Sequence, residues 1–171
     1  MVMEQEHQQE HDSFTFRPMK LVDIPSIMII EREAFTLPWT EDAFRNELTN
    51  NLFAKYVVLE NNGNPIGYAG MWTIVDEAHV TNIALLEAYR GRKLGGLLLE
   101  ELMNTASQIG MLRITLEVRV SNMIAQKLYE RKGFTSVGIR KGYYSDNHED
   151  AVIMWADLAP YREHASQEGS A

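Results

Sequence analysis

At 171 residues, 45% of them apolar, the chain has the length and composition of one domain with a sizeable core. A formal net charge of −8 disfavours non-specific nucleic-acid binding and suits a basic partner. The absence of cysteine excludes a disulfide framework and thiol catalysis. No apolar run is long enough to span a membrane, and the first residues lack the basic and apolar stretches of a signal peptide, so a cytoplasmic protein is expected. The five histidines are scattered and make no metal site.

Residues 1–13 carry no apolar periodicity and read as a disordered acidic tail. Phe14–Arg17 alternates like a strand and stops at Pro18. Asp23 is a candidate N-cap, with Pro25 in the first turn of a helix carried by Ile24, Ile27 and Met28. Leu37-Pro38-Trp39 breaks that helix, and Thr40 starts a short second one through Phe44 and Leu48. Tyr56–Leu59 and Ile66–Val75 are strands joined by the turn Asn61-Asn62-Gly63-Asn64, which makes a hairpin.

The stretch from Ala78 to Gly110 changes period from strand to helix. Val80, Ile83 and Leu85 supply β-favouring bulk, whereas Leu94, Leu98, Leu102 and Ala106 fall four apart, widened by Leu97. Between them lies Arg90-Gly91-Arg92-Lys93-Leu94-Gly95-Gly96. A glycine-rich, cationic turn at a helix start aims free N–H groups and a positive dipole end at an anion. Such turns are also common structural connectors, and this one is neither a G-x-G-x-x-G fingerprint nor a nucleotide-hydrolase phosphate loop. Beyond Gly110, Ile114, Leu116 and Val118 share one strand face while Thr115, Glu117 and Arg119 share the other. Ser121 or Asn122 caps a helix in which Ile124 pairs with Leu128 and Ala125 with Tyr129, closed by Gly133. Phe134–Arg140 and Ala151–Leu158 are the last strands, joined by the polar loop 143–150, and residues 160–171 form a polar C-terminal tail.

The segment TNIALLEAYRGRKLGGLLL resembles the acetyl-CoA pyrophosphate loop of the GCN5-related N-acetyltransferases, with pattern R/Q-x-x-G-x-G/A. Arg90 and Gly95 match its first and last positions. Lys93 stands at the middle glycine, so no positive φ is expected there. The resemblance covers residues 14–159 and implies an α/β fold with a mixed, mostly antiparallel sheet of about six to seven strands and about four helices. It further implies acetyl-CoA as co-substrate and no metal. Ile83, Ala84, Leu85 and residues Arg90, Gly91, Arg92, Lys93, Leu94, Gly95 and Gly96 would hold the cofactor with Asn122.

A narrower likeness joins LEVRVSNMIAQKLYERKGF and RKGYYSDNHEDAVIM to the bacterial ribosomal-protein-alanine N-acetyltransferases. It implies Glu117 as general base, Tyr129 as general acid and a basic ribosomal N-terminal peptide as acceptor. Charge and apolar patterning add the expectation of no direct nucleic-acid or membrane partner, and exposed sheet edges with the apolar 24–37 region that of a monomer or weak dimer. Tyr143, Tyr144 and the acidic residues of the loop would wall that peptide, helped by Asp42 and Glu47. Read alone, Glu117 is equally a strand carboxylate paired with Arg119, and Tyr129 a core anchor. Competing functions are acetylation of a polyamine or aminoglycoside, and non-catalytic acyl-CoA binding.

Overall fold

The computed structural model describes the backbone of residues 11–168 and side chains to residue 163. The first ten residues of the expected tail, and residues 169–171, lie outside the described ones. The chain runs β1 (Phe14–Pro18), α1 (Ile24–Ala34), α2 (Glu41–Thr49), β2 (Ala54–Asn61), β3 (Asn64–Ile74) and β4 (Glu77–Leu85). It continues α3 (Leu94–Gln108), β5 (Arg113–Arg119), α4 (Met123–Arg131), β6 (Thr135–Arg140), β7 (Ala151–Asp157) and α5 (Ala159–Glu168). Every strand and helix read from the sequence is present, in the same order. The addition is α5, within the polar C-terminal stretch.

The seven strands form one sheet in the order β1-β2-β3-β4-β5-β7-β6. All neighbours are antiparallel except β4 and β5. The hairpin between β2 and β3 turns through Asn62 and Gly63, both at positive φ, as a two-residue loop requires. One core lies under α3, where Leu94, Leu98, Leu102 and Ala106 pack on Leu59, Met71 and Leu116. Leu97 is exposed instead of widening that stripe, and Leu99 and Met103 are buried in its place. A second core joins α1 and α2 to the opposite face through Ile24, Ile27, Phe44 and Tyr68.

Local chemistry sets the ends of these elements. Thr40 Oγ1 accepts from Ala43 N at 3.1 Å and starts α2. Asp23 makes no cap bond to α1. Its carboxylate accepts from Lys20 N at 2.7 Å and from both terminal nitrogens of Arg17 at 2.7 Å, so it braces the turn before the helix. Ile124 does not pair inward with Leu128. It points outward, leaving Leu128 and Tyr129 to face the fold.

Candidate active site

The site exists because two strands part. β4 and β5 pair in parallel only over Glu77–His79 and Arg113–Thr115. Beyond His79, β4 follows β3 to Leu85 while β5 follows β7 to Arg119. A register shift between Gly70 and Met71 makes Thr81 a bulge in β4, which bends that strand where it departs. The gap opens into a cleft of about 990 Å³ lined from β4 by His79–Ile83 and from β5 by Leu116–Arg119. Asn122 and Tyr129 of α4 line it too, as do the α1–α2 loop and residues 143–147 and 149.

Glu117 reaches the cleft from the half-exposed face of β5, yet its side chain is only 7% exposed. Its Oε2 lies 2.8 Å from His79 Nε2, and its Oε1 accepts from Arg140 Nε at 3.2 Å. Burial pushes its pKa up, but the hydrogen bond from His79 and the charges of His79 and Arg140 outweigh this and leave it below the usual range. Arg119, the partner expected from strand spacing, instead binds Asp146 and Glu149.

Tyr129 packs its ring on Phe134, centroids 5.9 Å apart. Burial pushes its hydroxyl up to about 12, and no described group hydrogen-bonds it. It is therefore protonated and free to donate. Asn122 caps α4, its Oδ1 accepting from Ala125 N at 3.1 Å, and borders the cleft as well.

The cationic turn lies at the N-terminus of the 15-residue helix α3. Gly91 and Lys93 both have positive φ, +74° and +63°. The expectation for Lys93 is thus overturned. A lysine backbone holds the left-handed geometry that feeds α3, at a local cost of about 1–2 kcal/mol. Gly96 serves packing, because a Cβ there would sit 3.3 Å from Leu128 Cδ1. A Cβ at Gly95 meets nothing closer than 3.8 Å. Arg92 is engaged elsewhere: Asp12 binds its guanidinium, which lies over the Phe14 and Tyr89 rings at 5.5 and 5.2 Å. Arg90 Nη2 donates to Leu85 O at 3.3 Å.

The acidic loop and helix behave differently from expectation. Asp146 and Glu149 are held by Arg119 at 2.8 and 3.3 Å, and Glu149 also accepts from Ser121 N. Glu47 accepts from Trp72 Nε1 at 2.9 Å and from Asn51. Each of these carboxylates thus has a partner within the molecule, and Asp42 lies on the exposed side of α2, away from the cleft lining.

The acetyltransferase (GNAT) family profile matches residues 24–134. The chain belongs to the GNAT acetyltransferase family. Among GNAT proteins, it is 36% identical over 144 residues to the [ribosomal protein bS18]-alanine N-acetyltransferase of Escherichia coli K12, covering 82% of this chain and 95% of that one. A Bacillus subtilis (strain 168) protein given the same name provisionally is 46% identical over 142 residues, covering 83% and 94%. The crystal structure of the Escherichia coli ribosomal-protein-S18-alanine N-acetyltransferase superposes with a TM-score of 0.79 at 34% identity, covering 85% and 94%. The mixed sheet anticipated from the resemblance is thus the GNAT fold.

Three partners in this GNAT site escaped the sequence: His79, Arg140 and Thr36, whose Oγ1 donates to Asp146 Oδ2 at 3.0 Å across the cleft. The one available signal was His79 itself, a polar side chain in a β-favouring run.

Proposed function

We propose that this acetyltransferase moves the acetyl group of acetyl-CoA onto the α-amino group at the N-terminus of a ribosomal protein whose first residue is alanine. The observation that carries the reading is that Glu117 and Tyr129 meet in one cleft between parting strands. The acceptor is supported by the names of the Escherichia coli and Bacillus subtilis relatives, matched over most of each chain.

The residues fit acetyl-CoA by their chemistry. On the β5 side, the β4 edge at Ile83, Ala84 and Leu85 has no ladder partner, so the amides of the pantetheine arm add there like a further strand. The pyrophosphate suits the N-terminal turn of α3, where Arg90, Gly91, Lys93, Leu94, Gly95 and Gly96 surround free N–H groups. Arg92 joins them by releasing Asp12, and Asn122 borders the same cleft.

In the transfer, the neutral amine attacks the acetyl carbonyl carbon, the C–S bond breaks and the amine loses a proton. An α-amine has a pKa of about 7.7–8.0, against about 10.4 for lysine, so a neutral fraction exists near pH 7. Glu117, with its lowered pKa, is a poor direct base. It acts as an ionised acceptor that draws the proton through a water, with His79 hydrogen-bonded on its other side. With its raised pKa, Tyr129 keeps its proton and steadies the departing thiolate by donating a hydrogen bond to the sulfur. Mixing the protein with acetyl-CoA and an Ala-started peptide should release thiol and add one acetyl group at the α-amine, located by fragment mass spectrometry. Thiol release no faster than acetyl-CoA hydrolysis overturns the reading.

A further inference from the structure

The bond between Glu117 and His79 fixes how the imidazole is protonated. Glu117 is held ionised, so its oxygens only accept, and the 2.8 Å contact from His79 Nε2 to Oε2 carries the proton on Nε2. In the neutral ring the lone pair then sits on Nδ1, which has no partner among the described residues. His79 borders the cleft with its side chain 37% exposed, against 7% for Glu117. The imidazole is the more open of the two, and it is the side-chain type that changes charge near neutral pH. The neighbours suit a cation there. Trp72 lies opposite His79 on β3 and donates to Glu47 of α2 at 2.9 Å. Arg140 of β6 binds Glu117 Oε1 and leaves Oε2 to the ring. Burial, and with it the Glu117 charge, pushes up the hydroxyls of Tyr143 and Tyr144 beyond β6, so both stay neutral near pH 7.

We infer that the acceptor amine gives up its proton to His79 Nδ1, while Glu117 orients the ring and steadies the imidazolium. The inference rests on the proposed N-terminal acceptor and names the atom that receives the proton drawn toward Glu117. A carboxylate behind an imidazole holds its tautomer and stabilises its charge. As the amine lone pair bonds to the acetyl carbon, the nitrogen becomes acidic and its proton passes through one water to Nδ1. The N–H electron pair stays on nitrogen, and the C–S pair leaves with sulfur. The imidazolium returns the proton to solvent from the same Nδ1, which restores the tautomer for the next turnover.

The test follows kcat for an Ala-started peptide from pH 5 to 9, with acetyl-CoA affinity by calorimetry as the control. Two groups must then be neutral in the bound complex, the amine and the imidazole, so log kcat should climb from pH 5 with a slope approaching about two. Glu117, held below the usual carboxylate range, adds no step there, and as the proton acceptor itself it would leave a slope of about one. His79→Gln keeps an N–H donor for Glu117 but has no acceptor that titrates in this range. It should bind acetyl-CoA as before, lose about 10²-fold in kcat at pH 7, and show a slope of about one. A wild-type slope of one overturns the inference alone, whether or not the variant folds. So does a His79→Gln enzyme that keeps the steeper slope, or one whose kcat at pH 7 matches wild type. Wild-type thiol release no faster than acetyl-CoA hydrolysis at every pH overturns the N-terminal acceptor, and this inference with it.

Discussion

Tyr129 combines a packed ring with a protonated hydroxyl that has no partner among the described residues, so its two contributions can be separated by one atom. Tyr129→Phe keeps the ring on Phe134 and should bind acetyl-CoA nearly as before. Its kcat should fall by about 10²–10⁴-fold, the usual value of a positioned proton donor, and raising pH should not rescue it. Glu117→Gln should differ. On the proposed mechanism it loses the anion that draws off the amine's proton, so part of its deficit at pH 7 should return as pH approaches about 8 and more amine arrives neutral. A pH–rate profile of both variants checks the contrast, and a Glu117→Gln enzyme matching wild type at pH 7 removes that role. Lys93 offers a prediction without chemistry: Lys93→Gly removes left-handed strain of about 1–2 kcal/mol and frees the unfolded chain by about 0.4–1. Apo-protein stability by urea midpoint should therefore rise by about 1 kcal/mol or less. Glu117, Tyr129 and Asn122 were pointed to by the family resemblance, whose motif runs along one strand–helix segment, and all three line the cleft. His79 and Arg140 were not, since they reach Glu117 from 38 and 23 positions away.

At the level of elements, the end of α1 is pinned by a buried carboxylate. Glu31 is 1% exposed, accepts from Trp39 N at 2.9 Å and from the Tyr68 hydroxyl, and so holds the α1–α2 loop beside the cleft. Burial pushes its pKa up despite those two bonds. A raised folded pKa means the charged form is disfavoured. Stability is therefore lost as pH climbs from the ordinary 4.5 through the higher folded value, and the loss is constant above it. Asp23, held low by Arg17, acts oppositely and costs stability only as pH falls below 3.8. Glu31→Gln should abolish the upper dependence. Its Oε1 can still accept from Trp39, and its new N–H can donate to Tyr68. Turning the Asn82 amide then gives Oδ1, buried without a partner, the Tyr68 proton. Urea midpoints from pH 4 to 8 should run nearly flat above pH 5 in the variant and slope downward in wild type. The sequence singled out no role for Glu31, because its partners Trp39 and Tyr68 come from other elements. The helices and strands themselves were legible, since period and caps are local. The parting of β4 from β5 was not, because it depends on a bulge at Thr81 and on the different neighbours each strand keeps.

For the whole molecule, the proposed placement of the pyrophosphate on the glycine-rich turn would link cofactor binding to stability. A ligand that binds only the folded chain adds RT ln(1 + [L]/Kd), about 2.7 kcal/mol at a hundredfold excess over Kd. Acetyl-CoA should raise the midpoint of thermal unfolding by several degrees, in a concentration-dependent way. Gly95→Asp separates this from folding. A side chain at Gly95 has room, since its Cβ would stand 3.8 Å from Leu85 and 3.9 Å from Leu128. An aspartate in the first turn of α3 also interacts favourably with the helix dipole, by about 0.3–1 kcal/mol. The apo variant should therefore unfold at the wild-type temperature or slightly above it. If the pyrophosphate lies where proposed, the same carboxylate meets it with like charge, so the shift with acetyl-CoA should vanish, along with the calorimetric binding signal. A Gly95→Asp protein that keeps the full ligand shift would place the phosphates away from α3, and the cationic turn would revert to a structural connector between strand and helix.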